Sequence, residues 1–294
     1  MALIQMSIFS RSLMRTVPVT VVLPADKTSD FTAPLPPEKK FPTLYLLHGV
    51  IGSTMDWVSG TRLERYATDH DLCVVMPSGD NSFYLDRPGA SQNYGQFVGE
   101  ELVELTRRMF PLSRERKDTF IGGLSMGGYG ALRNGLKYHD TFGAIVSLSA
   151  AIEVDGIASR TNDTDVFMQK RSFAEECFGD LDKVVESDKN PAWLVNKLAA
   201  EKADFPKMYI ACGDEDGLLP ANQKFADQLT ALNIPHTFEI GPGAHEWDFW
   251  DTYICKAMDW LPIAPCRPGI SSGHVTKTGS TKFDGKIAFL SLYW

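Results

Sequence analysis

The sequence predicts an α/β fold in which a mostly parallel sheet, opened by an antiparallel hairpin, carries helices on both faces. Three observations predict it. The run Thr43-Leu44-Tyr45-Leu46-Leu47 is continuously apolar, as a parallel strand covered on both sides must be. Strand-like and helix-like segments then alternate almost to residue 261, the order that builds βαβ units. Before that run, apolar residues recur with period two, first at Ile4, Met6 and Ile8 and then at Val17, Val19, Val21 and Leu23. A turn near Arg11 and Ser12 separates the two sets, so they read as a hairpin with one buried face.

The remaining elements follow in order. Residues 34–42, rich in Pro and Lys, read as a surface loop, and residues 72–76 as a short buried strand. Residues 93–110 place Phe97, Val98, Leu102, Leu105 and Met109 at helical spacing, and Pro111 stops the pattern. Residues 119–121 form a strand that runs into a Gly-rich turn, and a helix over 126–138 follows, with Tyr129, Leu132 and Leu136 on one face. Strands are expected at 142–148, 207–212 and 236–240, a helix at 222–232 with Pro220 near its start, and a closing helix at 247–261 ended by Pro262. One stretch breaks the alternation. Residues 150–205 are charged and Asn/Asp-rich, with short helical patterns at 172–178 and 191–203. We read them as a small cap inserted over the carboxyl ends of the strands. The expected organisation is thus one domain over 1–262, carrying this cap, and a C-terminal extension over 263–294 of unassigned role.

Composition bounds the function. The chain has 294 residues, 44% hydrophobic and 22% charged, enough for one large globular domain. Its net charge of −8 argues against nucleic acid or an anionic membrane as partner. No secretory leader or membrane-spanning run is legible. The five Cys are scattered without metal-type spacing, which fits free thiols in a reducing cytoplasm.

The sharpest feature is Gly123-Leu124-Ser125-Met126-Gly127. Alone, this Gly-x-Ser-x-Gly pattern is weak. Here an apolar strand precedes it and an apolar-periodic helix follows, the setting of a nucleophile elbow and hence of the α/β-hydrolase fold. Gly128 and Gly130 continue the glycines into the helix, where each costs about 1 kcal/mol against Ala, so folding alone does not account for them. A Ser hydroxyl is a poor nucleophile at neutral pH. It needs a base within hydrogen-bond reach, and that base needs an orienting carboxylate. In this fold the chain order is Ser, acid, His. His245 lies in a Gly/Pro loop between the last strand and the last helix, at the carboxyl end of the sheet. His139, His236 and His274 are worse placed. The preceding strand ends in Cys212-Gly213-Asp214-Glu215-Asp216-Gly217, which leaves Asp216 and Asp214 both open as the acid, with Asp216 favoured for its depth in the loop. The backbone N–H groups of Met126 and of Val50, in the loop after 43–47, are the candidate oxyanion donors. His48 reads as a structural hydrogen-bonding residue. Trp57, Tyr84, Leu218 and Trp247 are the candidate substrate-binding walls.

His48-Gly49, Asp56-Trp57, residues 76–84, residues 123–131, residues 212–216 and residues 243–247 together resemble the esterase D family of α/β-hydrolases, nearest to its bacterial tributyrin, acetyl and feruloyl esterases. The resemblance covers about residues 1 to 262. It implies a cytoplasmic serine carboxylesterase for short acyl chains, acetyl to butyryl, with feruloyl or acetylated carbohydrate esters within range. It implies no metal or organic cofactor, a small-molecule ester substrate, and an often homo-oligomeric protein. It also matches the acid to Asp216. Alternatives with the same triad are a thioesterase, such as the more distant S-formylglutathione hydrolases, or an acyltransferase. A catalytically inactive binding protein on this scaffold is the reading from another class.

Overall fold

A computed structural model describes residues 1–27, 39–152 and 154–263. The C-terminal extension beyond Ile263 and most of the loop expected at 34–42 therefore lie outside the described residues. Strands β1 (Ala2–Ser10) and β2 (Arg15–Leu23) form the expected hairpin, with Val17, Val19 and Val21 buried along β2. Strands β3 (Thr43–Leu47), β4 (Cys73–Pro77), β7 (Thr119–Leu124), β8 (Ala144–Leu148), β9 (Lys207–Gly213) and β10 (His236–Gly241) complete an eight-stranded sheet of order β1-β2-β4-β3-β7-β8-β9-β10. β2 meets β4 antiparallel, and every pairing from β4 to β10 is parallel. A two-residue pair, β5 (Asp86–Arg87) with β6 (Gln92–Asn93), stands apart from this sheet.

Period-two alternation divides the core between the faces. Tyr45, Leu47, Ile121 and Ile145 face one apolar layer, whereas Leu44, Leu46, Phe120 and Val146 face the other. On the first face lie α5 (Met126–Lys137), α7 (Pro191–Glu201), α8 (Leu219–Ala231) and the helix that begins at Tyr94. On the second lie α2 (Leu63–Asp69) and α9 (Trp247–Trp260). The helix expected over 93–110 is α3 (Tyr94–Gln96) continued by α4 (Leu102–Met109), joined through a π turn at Phe97–Glu101. A π turn inserts one residue per turn and rotates the helical face, so Phe97, Val98, Leu102 and Val103 are all buried. Two elements between β3 and β4 were not expected: α1 (Asp56–Gly60) and α2. Both are too short to show a helical period. Among the described residues no helix is long and apolar enough to cross a membrane.

Between β8 and β9 the chain leaves the sheet for α6 (Arg171–Phe178), α7 and several single turns. This segment has an apolar nucleus of its own. Ala174, Cys177, Phe178, Leu181 and Val184 pack on Leu85 and Tyr129, the latter from α5. Buried Arg133 of α5 locks it down. Its Nη2 donates to Asp188 Oδ2 at 2.6 Å, its Nε donates to the Asp188 carbonyl at 3.1 Å, and its Nη1 donates to Asn134 Oδ1 at 2.8 Å. Removing the guanidinium leaves the Asp188 carboxylate with Lys137 Nζ, at 2.8 Å, as its remaining cation and leaves the Asp188 carbonyl without its Nε donor. Arg133→Ala should lower the unfolding free energy by ~3 kcal/mol, the low end for a broken buried pair, because Asp188 keeps 37% of its side-chain exposure. The check is the denaturant midpoint at constant slope. An unmoved midpoint contradicts the clamp.

Candidate active site

The site is built where β7 ends. Ser125 follows β7 directly and caps α5 with φ 54° and ψ −119°, a conformation that L-residues rarely adopt and that costs ~1–3 kcal/mol. The neighbours hold it there. Its N–H donates to the Leu148 carbonyl at 2.9 Å, and its own carbonyl accepts from Tyr129 and Ala151 at 3.0 Å. The turn is possible because the flanking residues lack a Cβ. A Cβ on Gly123 would lie 2.8 Å from the Leu47 carbonyl oxygen, and one on Gly127 would lie 2.6 Å from that of His48. The glycines thus let the elbow touch the end of β3.

Three side chains meet at this rim. His245 Nε2 lies 3.0 Å from Ser125 Oγ, and His245 Nδ1 lies 2.9 Å from Asp216 Oδ2. The other Asp216 oxygen accepts from the Leu218 N–H at 2.9 Å. Burial alone would raise the Asp216 carboxyl. Hydrogen bonds from His245, the Leu218 N–H and Ser149 outweigh it and hold the group below the ordinary carboxylate range. It is therefore charged at neutral pH, and the stability it confers is present above its unfolded value and lost as pH falls through its lower folded one. Asp214 is placed otherwise: its Oδ1 accepts from the Gly243 N–H at 3.1 Å, bracing the His245 loop from the exposed side.

The N–H groups of Val50 and Met126 have no hydrogen-bond acceptor among the described residues, and both residues line one cavity with Ser125 and His245. Met126 opens α5, so the positive end of the helix dipole faces the same point. His48 sits behind this loop, fully buried. Gly79 N–H donates to its Nε2 at 2.9 Å, which places the ring proton on Nδ1, 2.7 Å from the Gly49 carbonyl. Burial lowers its pKa, so it is a neutral strut between two loops.

The aromatic walls are corrected. Trp57, expected as a wall of the substrate site, is 1% exposed and donates Nε1–H to the Leu47 carbonyl at 3.0 Å. Tyr84 is fully buried, its hydroxyl donating to the His48 carbonyl at 3.0 Å. Trp247 packs edge-on between Trp57 and Trp250, outside the cavity lining. Leu218 alone of the four lines the cavity. The wall residues are instead Phe83, Phe173, Phe178 and Met168, three of them from the inserted segment, around a space of about 180 Å³.

Two positioning residues had no signature in the sequence. Ser149, fully buried with φ 46°, accepts from Trp250 Nε1–H at 3.2 Å and hydrogen-bonds to Asp216. The Trp250 ring meets the His245 ring edge-on at 4.9 Å. Asn222 donates to the Ala150 and Leu218 carbonyls at 2.9 and 2.8 Å, tying the acid loop to the end of β8.

A family model described as Esterase matches residues 10–261. The chain is 41% identical over 270 residues to an acetyl esterase of Caldicellulosiruptor saccharolyticus, covering 89% of this chain and 98% of that protein. The solved apoenzyme of an S-formylglutathione hydrolase from Staphylococcus aureus superposes with TM-score 0.76 at 33% identity, covering 88% of this chain and 98% of that one. A ferulic acid esterase structure gives TM-score 0.70 at 21% identity over 88% and 96% of the two chains, a likeness of fold.

The two carboxylates are separable by experiment. Asp216→Asn should lower kcat on a simple acetyl ester by ~10⁴-fold by spoiling the imidazole tautomer. Asp214→Asn should leave kcat close to wild type. The reverse ranking would reassign the acid.

Proposed function

The chain belongs to the Esterase family, and on that premise we propose that it is a serine carboxylesterase that hydrolyses short-chain acyl esters through an acyl-enzyme on Ser125. It is a carboxylic ester hydrolase, and the observation that carries the mechanistic reading is the chain of contacts Asp216–His245–Ser125, at 2.9 and 3.0 Å, opening on a small apolar cavity.

Ser125 Oγ attacks the ester carbonyl as its proton passes to His245 Nε2. The resulting imidazolium keeps its Nδ1–H on Asp216, which stays ionised. The oxyanion takes the N–H groups of Val50 and Met126, each worth ~2.7–4 kcal/mol in the transition state. The carbon–oxygen bond to the alcohol then breaks, and His245 returns its proton to the leaving oxygen. Water repeats the cycle on the acyl-Ser125 carbonyl, with the same His as base, and the acid departs. The walls Phe83, Phe173, Phe178 and Leu218 enclose space suited to short acyl groups. The described Cys residues 73, 177, 212 and 255 are free thiols, which supports a cytoplasmic setting.

A thioester reading draws on the 33% identity to an S-formylglutathione hydrolase. Rates on O-acetyl and S-acetyl substrates with matched leaving groups separate the two.

Ser125→Ala should reduce hydrolysis of p-nitrophenyl acetate by ~10⁶-fold and abolish labelling by a fluorophosphonate, with the thermal midpoint nearly unchanged. Retained turnover in a well-folded variant refutes the assignment.

A further inference from the structure

Two loops meet behind the oxyanion donors, the one after β3 and the one after β4, and two hydrogen bonds join them. The first is the His48 strut to the Gly79 N–H. The second lies on the other side of Val50, where the Ile51 N–H donates to Asn81 Oδ1 at 2.7 Å. The two bonds bracket Gly49 and Val50, so the Val50 donor is held from both directions along the chain.

The second bond matters because of how the turn is built. The Gly52 N–H donates to the Gly49 carbonyl at 3.2 Å, which closes a β-turn with Val50 and Ile51 as its central residues. Ile51 has φ 59°. A positive φ at the third residue of a turn is the type II arrangement, which glycine or asparagine ordinarily fills. A β-branched residue in that region is a strained exception. Packing does not compensate for the strain, since Ile51 is 77% exposed. Rotating the Val50–Ile51 peptide would relieve it by giving a type I turn. That rotation takes the Ile51 N–H off Asn81 and changes the backbone of Val50 itself. The bond to Asn81 opposes it.

Asn81 is in turn placed by its neighbours. Asp80 is paired with Arg15 and Tyr94. Ser82 Oγ donates to the Gly79 carbonyl at 2.6 Å. The Asn81 carbonyl accepts from Cys177 Sγ at 3.1 Å, a contact made by the inserted segment. Asn81 is an exposed residue and is not among those lining the catalytic cavity. Its side chain therefore bears on Ser125 chemistry through the loop after β3.

We infer that Asn81 is a positioning residue for ester hydrolysis: it holds the strained turn in the one form that keeps the Val50 N–H directed at the developing oxyanion. The inference rests on the serine esterase reading and adds to it a residue that acts only through Val50. Oxyanion donors work because they are oriented before the charge appears. Loss of Asn81 should therefore lower kcat and leave KM alone, the signature of an interaction made only in the transition state.

The test measures kcat and KM on p-nitrophenyl acetate, and on its thionoester, whose sulfur accepts hydrogen bonds weakly. The proteins are the unmodified chain, Asn81→Ala, and Asn81→Ala combined with Ile51→Gly. Asn81→Ala should lower kcat on the oxygen ester by at least ~10-fold, short of the ~10²–10³-fold for deleting an oxyanion donor outright. Its KM should stay within ~2-fold, and its thermal midpoint should be nearly unchanged. The kcat ratio of oxygen ester to thionoester should fall with it. Adding Ile51→Gly should recover most of the lost kcat, because glycine takes positive φ without strain. An unchanged kcat in Asn81→Ala overturns the inference. So does a rise in KM at constant kcat, an unchanged ester-to-thionoester ratio, or no recovery in the double variant. If the unmodified chain does not hydrolyse the oxygen ester, it is the esterase reading that fails, so the two failures remain distinct.

Discussion

The site depends on one steric constraint: the backbone at Gly123 and Gly127 must press against the carbonyls at the end of β3. That contact leaves Ser125 no ordinary conformation. The residue is driven to positive φ, and its hydroxyl projects from the rim instead of packing in the sheet. The same contact sets the loop after β3, with Val50, beside the start of α5, with Met126. The Ser125 hydroxyl and the Val50 and Met126 N–H groups are therefore placed by one close approach rather than by separate devices. Parallel strands flanking the elbow make the approach rigid, since β3, β7 and β8 are buried along their whole lengths.

Around this point the protein fastens three loops to one another. Ser149 and Trp250 join the end of β8, the Asp216 carboxylate and the flank of His245. Asn222 joins the acid loop to Ala150. His48 joins the oxyanion loop to Gly79. Each is a fully or almost fully buried polar group with its partners satisfied, so loss of any one would leave a desolvated donor or acceptor beside the triad. The inserted segment, by contrast, is held by apolar packing on Tyr129 and by the Arg133 clamp. It shapes the cavity without supplying any of the three triad groups.

Much of this arrangement was legible in the sequence, for identifiable reasons. Thr43–Leu47 and Thr119–Leu124 are short apolar runs bounded by turn residues, and buried parallel strands look like nothing else. The positions of Ser125, His245 and Asp216 could be read because each lies in a loop after a strand, where chain order limits the choices. The choice between Asp214 and Asp216 could not be closed by loop position, because the two lie two residues apart in one turn and only coordinates show which reaches the ring. Trp57 and Tyr84 misled because residue type says that an aromatic is valuable, not which side of a loop it faces. Trp57 turns inward to satisfy its indole N–H on Leu47. Phe83 and Tyr84 both adopt φ 53°, so no strand or helix period reports which of them faces the cavity. Helices α1 and α2 and the π turn escaped because elements of five to seven residues fall below the window in which periodicity is measurable.

The proposed reaction passes through a covalent intermediate at one residue. Rapid acid quench during turnover of an acetyl ester, followed by peptide mass spectrometry, reads it directly. The structure predicts a single acetyl adduct on the peptide bearing Ser125, and none on that peptide when the substrate has been exhausted. Steady turnover with the adduct on another residue, or with no adduct under conditions that slow deacylation, would contradict it.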